Sequence, residues 1–158
     1  MTSFAKMPIS KWIDVPPVWL AGAICVAWFV GQAQLFRLSF GGAWSDFLGG
    51  IAIGGGVILI LLAFVEMRKM RTTVIPHQEA ARLVTSGIFK RTRNPIYLGD
   101  VLILLGVILR WDAVAALPLV PVFLWWIERR FVIPEERGLR TKFGKVFFQY
   151  SEKTRRWV

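Results

Sequence analysis

Four apolar runs constrain this chain more than any other feature. They lie at about 18–36, 47–65, 95–109 and 113–127. Within each run hydrophobic residues follow one another without the polar stripe that a surface helix of a soluble domain keeps. Runs of about 18 such residues read as membrane-spanning helices. In hydrocarbon only helices and closed barrels satisfy every backbone polar group. The expected fold is therefore an all-α integral membrane protein. It has about four transmembrane helices, the last two a tight hairpin, and a C-terminal interfacial amphipathic helix, within one domain over 1–158. Residues 1–70 anchor the chain, and residues 71–158 hold most of the polar chemistry.

Charge placement supports the same reading. The chain is 55% hydrophobic with a net charge of +10, and its basic residues gather in the gaps between apolar runs. That distribution matches the positive-inside bias and attraction to anionic lipid rather than a nucleic-acid face. The 66–93 segment and the tail are basic, whereas Arg37 and Arg110 stand nearly alone in the other two gaps. Both termini and the long loop are thus expected on the cytoplasmic side, as in a bacterial inner membrane. Lys6 and Lys11 before the first run could open a signal peptide, but the run continues beyond Gly31-Gln32-Ala33 and reads as a retained span. Cys25, the single cysteine, reads as a small buried thiol.

Within the runs, Gln32 and Gln34 are costly against lipid and should face a bundle or interface. Asp46 is positioned to cap the second span. Gly50 and Gly54 make a GxxxG spacing that admits a close helix, with a sister helix of the same chain preferred over dimerisation. Arg110-Trp111-Asp112 leaves room only for a tight turn. At 1.5 Å per residue the third and fourth runs are each about 22 Å long, so they extend into their flanks or leave a shallow cavity. Pro118 and Pro121 should bend the fourth run, and Pro134 should interrupt the helix that follows. Residues 78–84 could form a short helix. In the tail, Leu139, Phe143, Val146, Phe147 and Tyr150 fall on one helical face.

The chemistry points to the segment from Leu83 through Gly87 to Gly99. Asn94 is a good N-cap type and Pro95 suits the first helical position. A helix start presents unpaired N–H groups and a positive dipole end to an anionic group, here with Arg91 and Arg93 just before it. The topology brings Glu135-Glu136 to the same face. Glu136 could pair with Arg140 at i,i+4. Alternatively, one carboxylate holds an ammonium while the helix start holds a carboxylate, which suits an amino-acid head. His77 is the sole histidine and has no metal-ligand companions, so no metal is expected.

These residues resemble a known family. Thr73-Val74-Ile75-Pro76, Leu83-Val84-Thr85-Ser86-Gly87 and Arg93-Asn94-Pro95-Ile96-Tyr97-Leu98-Gly99 are similar to the isoprenylcysteine carboxyl methyltransferase and phospholipid methyltransferase superfamily. Pro134-Glu135-Glu136, Leu139, Phe143-Gly144 and Tyr150 resemble its second block. The resemblance covers about residues 72–152 and implies a membrane methyltransferase that uses S-adenosylmethionine, enclosed between hairpin, loop and tail. It implies cofactor contacts at Val84, Gly87, Phe89, Arg93, Asn94, Pro95, Tyr97, Gly99, Glu135 and Glu136, with Arg93, Tyr97 and Glu135 in the catalytic set. Asn94 stands where many members have His and cannot act as that His could. Ile88 and Phe89 replace a frequent Pro-Tyr.

The acceptor expected from the resemblance is apolar or lipid-like, with an isoprenylcysteine-type carboxylate first. Phospholipid amines and small thiols are the alternatives. A carboxylate needs no base, and Arg93 could hold it, or the cofactor carboxylate, in a bidentate fork. Outside the enzyme class, a small four-helix transporter or scaffold is the competing reading. A transporter is expected to carry ionisable groups at mid-membrane, and here only Asp100, near a helix start, comes close.

Overall fold

The structure, a computed structural model, describes residues 14–33, 38–72 and 82–158. Among these residues the fold is all-helical, without a strand. The α-helices are α1 Pro16–Gln32, α2 Ala43–Lys69, α3 Pro95–Arg110, α4 Leu119–Ile127 and α5 Ile133–Lys153. 3-10 turns at Gly87–Lys90 and Val114–Ala116 precede α3 and α4, and a π-helical turn, Glu128–Val132, joins α4 to α5. Several sequence expectations fall outside the described residues: Lys6 and Lys11 before the first run, Gln34 and Arg37, the segment Thr73-Val74-Ile75-Pro76, His77, and most of the short helix at 78–84. Arg82, Leu83 and Val84, the described part of that helix, are not helical.

α2 is the one described helix long and apolar enough to cross a membrane by length and composition. Its 27 residues extend about 40 Å, beyond a ~30 Å hydrocarbon core. Only 17% of its most apolar stretch is buried by the described residues, so most of its apolar surface is left uncovered by them. α1 is apolar but shorter, at 17 residues. It meets the core through the small residues Ala23 and Ala27. Cys25 points away from that stripe and is exposed, not buried as expected. Gln32 is exposed and lines a recess with Trp28, Gly31 and Trp111.

α2 and α3 pack antiparallel along a glycine seam. A Cβ added to Gly49 would lie 2.7 Å from the Gly106 carbonyl oxygen, and one added to Gly56 would lie 2.6 Å from that of Gly99. The relation is reciprocal, since a Cβ on Gly99 or Gly106 would meet the Gly56 or Gly49 oxygen at 2.7 or 2.6 Å. Ile53, Ile60 and Ile103 fill the seam between the glycines. The expected intramolecular packing is present, but the GxxxG pair does not carry it. Gly54 meets nothing within 4 Å, and Gly50 meets only the Arg110 guanidinium at 3.7 Å. The facing glycines of α3 are seven residues apart, close to two turns, so they select Gly49 and Gly56 on α2.

The turn after α3 is tight, as expected. Asp112 takes a left-handed φ of 53°, and its carboxylate accepts from the Ser39 hydroxyl at 2.5 Å and the Phe40 amide at 2.6 Å. These bonds tie the two loops at that end and hold the Asp112 carboxyl below its ordinary range. The fourth run is not one helix. It makes a 3-10 turn, and Pro118 then serves as N-cap of α4. Pro121 sits in the first turn of α4, where the missing N–H costs nothing. Asp46 does not cap α2. Gly42 is the N-cap and Asp46 lies in the first turn, where its charge still favours the helix dipole.

Pro134 does not interrupt the last helix as expected. The π-turn before it absorbs the proline, which becomes a first-turn residue of α5. Gly144, at φ 47°, then kinks α5. The kink alters the register of the tail face: Phe147 is buried and Tyr150 partly so, but Val146 is 59% exposed and leaves the expected stripe.

Candidate functional site at the start of α3

Where α3 begins, the chain doubles back on itself. Residues 92–94 lie alongside residues 154–156, and the polar groups of the two segments satisfy one another. The Arg93 amide donates to the Arg155 carbonyl at 3.0 Å. The Thr92 hydroxyl and the Asn94 side-chain amide both donate to the Arg156 carbonyl, at 3.0 and 3.2 Å. Asn94 is thus the N-cap by position, but its side chain makes no cap bond. It is turned to the tail instead, a correction to the capping expected from sequence. Pro95 takes the first helical position as expected and is buried.

Arg93 is the centre of this clasp. Its Nε and Nη2 donate to Glu136 Oε1 at 3.1 and 2.9 Å. Its Nη1 donates to the Ser151 and Thr154 carbonyls at 3.0 and 2.6 Å. Arg156 completes the network: Nη2 reaches Glu136 Oε2 at 2.7 Å, Nε reaches Oε1 at 3.2 Å, and Nη1 reaches Glu128 at 2.5 Å. The Trp157 indole also donates to Glu128, at 3.3 Å. Burial alone would raise the Glu136 carboxyl, but the bonds from Arg156 and Arg93 outweigh it and hold that group below its ordinary value. The same partnership raises Arg156, so the pair stays charged. Glu136 does not make the i,i+4 pair with Arg140 considered from sequence, because two better-placed guanidiniums hold it.

Beside the clasp, the Tyr97 hydroxyl donates to Glu135 at 3.0 Å. The Tyr97 ring is buried and stacks near Phe131, with centroids 6.4 Å apart, so it is fixed while the exposed Glu135 carboxylate remains reachable. One turn further along α3, Asp100 is 4% exposed. Its Oδ2 has no hydrogen-bond partner among the described residues. An unpaired buried carboxylate oxygen is expensive, and such groups gather at functional sites.

The loop before α3 closes a different contact. Ser86 donates to Glu66 at the end of α2 at 2.5 Å. Gly87, at φ 58°, leaves no room for a Cβ, which would lie 2.6 Å from the Glu66 carboxylate. The Phe89 carbonyl accepts from Tyr150 at 2.7 Å, and burial raises that phenol. Val84 is buried.

The sequence-derived residues therefore divide. Arg93, Asn94, Pro95, Tyr97, Glu135 and Glu136 come together at the start of α3. Val84, Gly87 and Phe89 belong to the loop that seats on α2 and α5, and Gly99 faces the glycine seam. Thr92, Glu128, Thr154 and Arg156 are clasp members that sequence reasoning missed. Glu128, an acid directly after an apolar run, was the one visible signal. The basic tail read as lipid-facing, which hid Arg156.

The clasp and its neighbours form a compact polar cluster at the end of apolar helices. A family model described as phospholipid methyltransferase matches residues 44–146, more than half of the chain. The chain belongs to this membrane-associated methyltransferase family, within the superfamily shared with the isoprenylcysteine carboxyl methyltransferases. Neither the curated proteins nor the solved structures yield a match.

Proposed function

We propose that this protein transfers a methyl group from S-adenosylmethionine to an amine on a phospholipid head at the cytoplasmic face of a membrane. The observation that carries this reading is the state of Arg93. Every nitrogen of its guanidinium already donates within the fold, so it has no fork to offer an acceptor carboxylate. The other acids beside it are Glu135, exposed, and Asp100, whose Oδ2 has no hydrogen-bond partner among the described residues, so one can meet the cofactor's ammonium and the other an acceptor amine. An amine acceptor therefore suits the site better than the isoprenylcysteine carboxylate that the resemblance put first, and Arg93 is a positioning residue.

The residues fit the cofactor. Glu135, oriented by Tyr97, would hold its ammonium, and the first-turn amides of Ile96 and Tyr97 would face its carboxylate. When bound, the cofactor supplies an electrophilic methyl group on a positively charged sulfur. The amine must lose a proton before it can attack, and Asp100 Oδ2, buried and unpartnered one turn from Tyr97, is the group we assign to accept it. In this reading α1, α3 and α4, with their flanking turns, complete four crossings with α2. The 66–93 segment and the tail lie on the cytoplasmic side of a bacterial inner membrane.

Purified protein given methyl-labelled S-adenosylmethionine should label phosphatidylethanolamine in mixed micelles and leave prenylcysteine analogues unlabelled. Calorimetry should show cofactor binding weakened by Glu135→Gln and retained in Asp100→Asn, with turnover lost in the latter. Label in the prenylcysteine ester, or normal turnover by Asp100→Asn, refutes the amine assignment.

A further inference from the structure

The failed ion pair between Glu136 and Arg140 has a structural counterpart. With Glu136 held by Arg93 and Arg156, Arg140 is left without an acid, and so is Arg137. Neither makes an ion pair among the described residues. Ile133, Arg137 and Arg140 follow one another at i, i+4 and i+7, one stripe of α5. Together with Glu136 and Arg156 they line a cleft of about 160 Å³. The charges around it do not balance. Arg93 and Arg156 offset Glu128 and Glu136, and Arg137 and Arg140 remain as two uncompensated positive charges. An acid-lined site thus has, on the neighbouring face of the same helix, a small basic cleft with one apolar wall.

We propose that this cleft binds the phosphate of the lipid whose head is methylated, with Arg137 and Arg140 as its ligands. Guanidinium groups match phosphate oxygens in a planar fork, more strongly than ammonium groups can. Arg156, anchored on Glu136, closes the inner wall and connects the cleft to the clasp. Ile133 gives the glycerol end of a lipid an apolar surface. Glu135 and Arg140 are five residues apart, about 8 Å along the helix axis and about 140° around it, with Glu136 between them. A phosphate held at the ends of the long arginine side chains lets an extended phosphoethanolamine head pass over Glu136 and bring its nitrogen to the Glu135–Tyr97 end of the site. Two residues thereby hold the acceptor without touching the reacting atoms.

The proposal rests on the lipid-amine reading of the site, and its test separates the two. Binding of dihexanoylphosphatidylethanolamine, dihexanoylphosphatidic acid, dihexanoylglycerol and inorganic phosphate is measured by tryptophan fluorescence in neutral detergent. Both phosphate lipids should bind at least about tenfold more tightly than dihexanoylglycerol, and Arg137→Gln/Arg140→Gln should abolish that difference. Lys145→Gln/Lys153→Gln removes the same charge elsewhere on α5 and should leave it intact. Equal weakening in both double variants would reduce the effect to surface potential and overturn the cleft. Inorganic phosphate binding as tightly as the lipids overturns the lipid head as its occupant. If phosphatidic acid binds through the arginines while no lipid amine is methylated, the cleft stands and the amine reading fails. If the double variant methylates phosphatidylethanolamine at limiting lipid as fast as the parent, the reading stands and the cleft fails.

Discussion

Along the α2–α3 seam, backbone lies against backbone, and Gly49, Gly56, Gly99 and Gly106 hold the helices together by having no side chain. At the start of α3, the same helix is fixed by the opposite means: Arg93, Glu136 and Arg156 interlock through charge-assisted hydrogen bonds, and the carbonyls of residues 151–156 receive the remaining donors. The first contact excludes atoms, and the second requires them in specific places. Close van der Waals packing of small residues suffices to join two apolar helices. At the start of α3 the fold uses groups whose loss leaves others unpaired.

Removing one member of the clasp should therefore give the largest effect. Arg93→Ala leaves Glu136 with one partner and two carbonyls unmet, an expected loss of about 3–5 kcal/mol. Arg93→Lys should restore little of it, because one ammonium cannot replace three donating nitrogens. Chemical unfolding in micelles measures both, and a near-parental Arg93→Lys would show that charge alone holds the clasp. Next in size is the seam. Gly56→Val should cost about 1–3 kcal/mol through overpacking, whereas Gly54→Val, facing open space, should stay within about 0.5 kcal/mol. Equal losses in the two would remove the distinction between packed and lipid-facing glycines.

The smallest expected effect is in acid. Glu136 has a folded value below its ordinary 4.5. Its contribution is therefore complete above that value and is lost as pH falls through the depressed one, from about pH 5 downward. Melting temperatures of the parent should fall in that window more steeply than those of Glu136→Gln. The penalty of Gly56→Val, which involves no titrating group, should be the same on both sides of it. A penalty that moves with pH would mean that seam and clasp are coupled.

Much of the seam and the helix start was legible, but in different degrees. Uninterrupted hydrophobicity announces helices at 47–65 and 95–109 because periodicity and length are local properties. Which glycines pack was not legible: Gly50 and Gly54 have the familiar spacing, and only the partner's Gly99 and Gly106 reveal that Gly49 and Gly56 are the ones in contact. Pro134 reads as a break until the π-turn before it is known. At the site, Asn94-Pro95 and Glu135-Glu136 stood out as adjacent residues of unusual type. Arg156 did not, since one arginine in a basic tail carries no mark of the carboxylates it will meet. Contacts between residues some sixty positions apart are decided by packing, which one-dimensional spacing does not record.

The clasp also has a consequence in time. The carbonyls that receive Arg93, Thr92 and Asn94 belong to residues 151–156, made about 60 residues later. At about 5–20 residues per second, synthesis separates the two halves by roughly 3–13 s. During that interval α3 can meet α2 along the glycines, while the start of α3 still has its donors unanswered. The seam is thus available to pair α2 with α3 first, and the clasp closes only after the helices that support it are in place.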